Sequence, residues 1–305
     1  MRRRYCIYDV FTNRVLTGNP LAVVFDGDGL DDEAMQVIAA ELNLSETVFV
    51  QRPANPSHTA RIRIFTPARE LPFAGHPTVG TAVALAELNH GGGEATGDFV
   101  SVLEENVGPV RCAVRLAPGE AGFAEFDLPR KSVRTDLPLD RQGIADALGL
   151  KATDIGFENH VPSIWGAGVP FLLVPVHDLR AAERIEFDAQ YWERTVPFVD
   201  GHLASAYVYC RGGINHNARF HARMFAPDMG IAEDPATGAA VAALSGAIHH
   251  FDALPDGRHA TVVEQGIEMG RPSFIHLHID IDGGRIAMAR IGGEAVRLAS
   301  GELYL

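Results

Sequence analysis

The sequence predicts an α+β protein of two similar domains related by a pseudo-twofold, and three observations carry that expectation. The 305 residues exceed one average domain. Short alternating or β-rich runs outnumber helical windows in both halves. One phrase occurs twice about half a chain apart: strand, strand, Arg-x-Phe-x-Pro, loop, then Pro-x-x-Gly-x-Ala-Val-Ala.

The elements follow in order. Strands are expected at 4–12 (RYCIYDVFT) and 21–26 (LAVVFD), then a helix at 31–42 (DDEAMQVIAAEL). Strands at 46–52 and 58–66 lead to RIFTP, a loop, and a helix over 77–89 that starts on His-Pro. Strands at 110–117 and 122–128 close the first half, and the proline- and charge-rich stretch 127–140 marks the border. The second half begins with a helix at 140–149 and continues with strands at 171–176, 205–211 and 220–227. A helix at 235–250 and strands at 274–282 and 285–293 complete it, and the final ELYL returns to the first domain. The domains are therefore 1–130, completed by about 293–305, and 131–292.

Composition excludes several classes. Net charge is −13, from 26 basic and 39 acidic residues, and no basic cluster exceeds the initial MRRRY, so neither nucleic acid nor a membrane surface is an expected partner. Cys6, Cys112 and Cys210 lie far apart in apolar stretches, an odd count without a CxxC pair, which reads as buried reduced thiols. The start lacks the apolar region of a secretory leader and no run of 18 apolar residues occurs, so a soluble cytoplasmic protein is expected. HGGGEATG at 90–97 lacks the ending of a phosphate loop and reads as a turn. His276 and His278 share a strand face without a third ligand, which reads as a surface strand. No metal and no cofactor is expected.

The repeated phrase holds the candidate chemistry. Proline is favoured at the first helical position, so Pro77 and Pro235 read as two helix starts, with unpaired N–H groups and a partial positive charge. Gly75, Gly80 and Gly238 would let a ligand approach the backbone. Two such ends facing one another would hold a carboxylate without Arg or Lys. Asp234 reads equally as an N-cap. His76 caps poorly and reads as a neutral imidazole that binds a ligand or exchanges a proton. Glu46, directly before an apolar strand, reads as an acid/base or as a solvated strand start, and Glu70 reads as a loop ion-pair residue. Counting back from Phe65 and Phe225 pairs Glu46 with Ala206, which gives one carboxylate rather than a matched pair.

At these residues the sequence resembles the PhzF-type, phenazine-biosynthesis-like isomerase family with the diaminopimelate epimerase fold. The resemblance runs end to end through DVFTNRVLTGNPLAVV, LNLSETVFV, RIFTPARELPFAGHPTVGTA, RMFAPDMGIAEDPATGAA and EQGIEMGRPS. It implies that each domain wraps a sheet or barrel around a central helix, with the active site in the cleft between them. It also implies a homodimer, and a glutamate, matched by Glu46, that moves a proton within dihydro-3-hydroxyanthranilate to give a ketone. Family site positions fall on Gly75, His76, Asp234, Gly238 and Ala239. Two departures stand out: Ala239 replaces a family serine, and Ala74 and Pro235 occupy the cysteine positions of the two-thiol racemases.

The expectation is a cofactor-independent isomerase acting on a small carboxylate-bearing metabolite, with Glu46, His76 and Asp234 catalytic and Gly75, Gly238 and Ala239 binding substrate. A lyase using the same base, or a small-molecule-binding protein that has lost catalysis, are the alternatives.

Overall fold

The structure, a computed structural model, describes residues 2–199 and 201–305. The chain forms two units: Met1–Pro129 with Arg271–Phe274 and Ile291–Leu305, and Arg130–Gly270 with Ile275–Arg290.

In the first unit, strands β1 (Arg2–Val10), β2 (Asn19–Val24), β3 (Glu46–Gln51), β4 (Ala60–Phe65), β5 (Glu70–Leu71), β6 (Gly97–Glu105), β7 (Gly108–Leu116) and β8 (Gly122–Asp127) accompany helices α1 (Asp32–Leu42) and α2 (Gly75–His90). β1 pairs antiparallel with β2, β2 parallel with β3, β3 antiparallel with β4 and β4 parallel with β6. β6, β7 and β8 form an antiparallel meander. The C-terminal strand Arg285–Tyr304 pairs with β8 on one side and antiparallel with β1 on the other. The ring therefore closes and leaves no free edge along it.

Helix α2 fills this barrel. Every residue from Gly75 to Ala86 is buried, and the helix touches β1, β2, β3, β6, β7 and β8. Its run of Gly, Ala, Val and Thr explains the placement, since a helix with no polar face is stable only when enclosed. Gly80 was expected to admit a ligand; instead it admits the barrel wall. A Cβ there would lie 2.6 Å from the Leu21 side chain and 2.7 Å from that of Val10. Helix propensity alone favours Gly80→Ala by about 1 kcal/mol, but overpacking costs about 1–3 kcal/mol. Leu21 and Val10 are both fully buried, so the substitution is expected to lower the denaturant midpoint; an unchanged midpoint would show that the wall can yield.

The second unit repeats the plan. Its strands are β9 (Val133–Thr135), β10 (Ser163–Gly166), β11 (Pro170–Pro175), a short hairpin of β12 (Phe198–Val199) and β13 (His202–Leu203), β14 (Ser205–Arg211), β15 (Phe220–Ala226), β16 (Ile231–Asp234), β17 (Gly257–Gln265), β18 (Ser273–Asp282) and β19 (Arg285–Tyr304). Its helices are α3 (Arg141–Ala147), α4 (Leu179–Glu183), α5 (Ala189–Thr195) and α6 (Gly238–Asp252). β10 to β11 is antiparallel, β11 to β14 parallel, β14 to β15 antiparallel and β15 to β17 parallel, the same succession as in the first unit. Helix α6 packs on β9, β10 and β11, as α2 packs in its own barrel. Outside, α3, α4 and α5 cover an apolar cluster that includes Trp192, whose indole donates to Ala204 O at 3.0 Å.

A paired side-chain motif recurs as well. Arg63 grips Glu70 with two hydrogen bonds of 2.6 Å, and Arg223 grips Glu233 with bonds of 2.8 and 2.9 Å. Glu70 is thus the ion-pair residue it was read to be.

The registers correct three expectations. Phe65 lies opposite Thr47, and Phe225 lies opposite Ala206. The hairpin loop after β14 is one residue longer than that after β3, so the counterpart of Glu46 is Ser205, not Ala206. Leu71 pairs with Ile64 and Asp234 with Met224, which aligns Pro72 with Pro235 and Gly75 with Gly238 rather than Pro77 with Pro235. Neither proline opens a helix: α2 starts at Gly75 with Ala74 as N-cap, and α6 starts at Gly238 with Thr237 as N-cap. Asp234 therefore ends a strand and does not cap α6. Strands β6 and β17 are not among the strands expected from the sequence, and each ends in a buried polar residue, Glu105 and Gln265.

Candidate active site

Glu46 is the first residue of β3. Phe49 of that strand packs with Phe65 and Met35 of α1 on the outer face. Alternation along the strand then turns Glu46, Val48 and Val50 inward, toward α2. His76 is the second residue of α2, two positions after an N-cap that makes no side-chain hydrogen bond. Its Nε2 lies 3.2 Å from Oε2 of Glu46, with the two side chains 4% and 10% exposed. The barrel thus brings together a strand start and a helix start that are thirty residues apart in sequence.

Burial sets the state of this pair. It pushes the His76 imidazole down from its ordinary value to about 3, so the ring is neutral at pH 7. The contact is therefore not an ion pair with imidazolium. It is a close approach without the alignment of a full hydrogen bond. Such loose geometry is common in a site that tightens around substrate. A neutral imidazole adds no second buried charge beside the carboxyl group and can hydrogen-bond it while that group takes up and releases a proton. Gly75 is buried beside His76 at the head of α2.

In the second unit, Asp234 is 6% exposed at the end of β16. Its carboxylate accepts from the Thr237 hydroxyl at 2.5 Å. Gln265 braces the same turn: its amide donates to Asp234 O at 2.7 Å and to Thr237 Oγ1 at 3.0 Å, and its carbonyl accepts from Thr237 N at 3.2 Å. Gly238 is buried at the head of α6, and Ala239 is partly exposed beside it. Burial, together with the Asp234 charge, pushes the Tyr207 phenol up and holds it protonated. Thr237 and Gln265 were missed in the sequence, where the echo of VLEEN in VVEQG is the signal that could have found Gln265.

The thiols offer no base. Cys6, Cys112 and Cys210 are free and buried, and burial pushes each pKa up, that of Cys210 to about 12. One acidic group could suit a cation: Glu158, His160 and Asp252 hold their ligand atoms within 4.8 Å of one another. The Arg211 guanidinium already fills that role, 2.5 Å from Asp252 and 2.7 Å from Glu158. His276 and His278 lie on the half-buried face of β18. No helix among the described residues is long and apolar enough to cross a membrane.

Comparison with known proteins finds relatives over nearly the whole chain. The family model described as phenazine biosynthesis-like protein matches residues 8–301. An uncharacterised isomerase of Mesorhizobium japonicum is 56% identical over 304 residues, covering 99% of both chains. The trans-2,3-dihydro-3-hydroxyanthranilate isomerase of Pseudomonas aeruginosa is 35% identical over 303 residues, again covering 99% of both. Among solved structures, a PhzF-family phenazine biosynthesis protein of Bacillus anthracis superposes with a TM-score of 0.87 at 25% identity, covering 100% of both chains.

Proposed function

The chain belongs to the phenazine biosynthesis-like family of isomerases, and from that premise we propose that Glu46 moves a proton within a small cyclic carboxylate. The observation that carries the proposal is the buried Glu46–His76 contact of 3.2 Å. The carboxylate of Glu46 takes a proton from a carbon next to a double bond, and the electron pair enters the neighbouring π system. Glu46 then returns the proton to another carbon of the same molecule. Nothing is consumed, so neither oxidant nor cofactor enters the balance. His76, kept neutral, holds the Glu46 carboxyl in position through Nε2.

The relatives support one substrate class. The 35% identical relative bears the name trans-2,3-dihydro-3-hydroxyanthranilate isomerase, and a substrate of that type is proposed here. Its carboxylate would sit on the free N–H groups at the start of α2, where the helix end is electropositive and unoccupied by a capping side chain. For Asp234, Gly238 and Ala239 the proposed part is binding of polar substituents, with Ala239 offering no hydroxyl where the family has serine.

A buried base that returns the proton it took leaves an isotopic record. With substrate deuterated at the donor carbon, the product made in ordinary water is expected to keep part of the label at its new position, read by NMR. Complete loss of label to solvent would argue against a single shuttling carboxyl. A product lighter by water or ammonia would instead assign a lyase.

A further inference from the structure

Inside the first barrel lies a second carboxyl group that the proposed reaction does not use. Glu105 ends β6 on its inward face, in line with the buried Ser101 and Leu103, and is 7% exposed. Its Oε1 lies 2.8 Å from Thr78 Oγ1, and that hydroxyl lies 2.7 Å from the carbonyl of Ala74, the N-cap of α2. Oε2 is buried and has no hydrogen-bond partner.

A count of protons decides how this chain is joined. Thr78 has one hydroxyl proton, and the Ala74 carbonyl can only accept. If Glu105 were a carboxylate, Thr78 would face two acceptors with one donor, and one contact below 3 Å would be repulsive. If Glu105 carries a proton, it donates to Thr78, Thr78 donates to Ala74, and both contacts are satisfied. The partnerless Oε2 is then a neutral carbonyl oxygen, far less costly to bury than half of a carboxylate. The second unit supplies an independent observation. Arg61 pairs with Glu104, and the corresponding His221 pairs with Glu264, so Gln265 is the counterpart of Glu105. A neutral amide stands there, bracing the start of α6.

We propose that Glu105 is a neutral carboxylic acid that braces the first turn of α2 through Thr78, and so serves as a positioning residue for His76. Its ionisation would break the relay and disturb the turn that carries the imidazole. Burial agrees, raising the Glu105 carboxyl to about 8 despite the Thr78 contact. Among the described residues no cation opposes this. The Cys112 thiol faces it from β7, His76 on α2 is neutral, and Arg61 and Arg63 of β4 lie on the outer face, Arg63 held by Glu70 and Asp32.

The experiment needs no substrate. Its outcome is therefore separate from that of the proposed reaction, on which only the consequence for turnover rests. Infrared spectra of the wild-type protein should show a protonated carboxyl band at pH 7 that fades with a midpoint near pH 8 and is absent in Glu105→Gln. Side-chain NMR of His76 should move with that same midpoint in the wild type and stay fixed in Glu105→Gln. Thr78→Val should leave the carboxyl protonated yet uncouple His76 from it. A wild-type protein without the band at pH 7 overturns the protonation. A His76 signal that is indifferent to pH between 7 and 9, or that moves equally in both variants, overturns the positioning role.

Discussion

Glu46→Gln is expected to lower kcat by about a thousandfold or more, at the upper end of what a positioned acid/base contributes. Gln matches Glu in size and keeps a group able to hydrogen-bond His76, but it cannot carry a proton between two carbons. Because the loss falls on the transfer step, binding of the substrate should change little, and kcat and kcat/KM should fall together. The site is buried and the variant isosteric, so folding should be preserved, which a thermal melt would check. Turnover within tenfold of wild type would assign the proton transfer to another group.

The second large effect is on stability in acid. His76 takes up a proton only near pH 3 in the folded chain, against about 6.5 when unfolded. Above pH 6.5 both states hold a neutral ring and the group is silent. As pH falls from 6.5 toward 3, the unfolded chain binds the proton first, so stability is lost over that window. The loss is about 1.4 kcal/mol per pH unit at its steepest, reduced by whatever the nearby Glu46 carboxylate returns to an imidazolium. His76→Gln removes this term. The denaturant midpoint of the wild type should therefore fall more steeply than that of the variant between pH 6 and 4. Comparing the two cancels the opposite contribution of Glu105, whose raised pKa destabilises the fold as pH rises from about 4.5 to 8. Parallel curves would mean that Glu46 fully compensates the buried charge.

Much of the site could be read from the chain because its residues violate local rules. His76 stands before a proline where the sequence suggested a capping Ser, Thr, Asp or Asn, and Glu46 opens an otherwise apolar strand. Both anomalies led to the pair now 3.2 Å apart. The same reasoning misjudged Pro77 and Pro235 as helix starts, and the N-cap reading of Asp234 fails as well, because a local rule offered each a sufficient explanation. The true helix starts at Gly75 and Gly238 follow from strand pairings that no local rule contains. Glu105 is the opposite case: nothing local marks it in VLEENVG, and only enclosure by the barrel makes it anomalous.

The sequence by itself determined the strand-rich order of elements, the internal repeat, the absence of reactive thiols and the residues at which chemistry was to be sought. Those properties depend on periodicity, composition and neighbours along the chain. The tertiary structure alone decided which residues of the two halves correspond, that Glu46 meets a neutral His76, and that Glu105 faces a Thr78 hydroxyl already directed at the Ala74 carbonyl. Each of these rests on long-range pairing and on burial. Register is settled by hydrogen bonds between distant strands, and protonation is settled by how much water the fold removes.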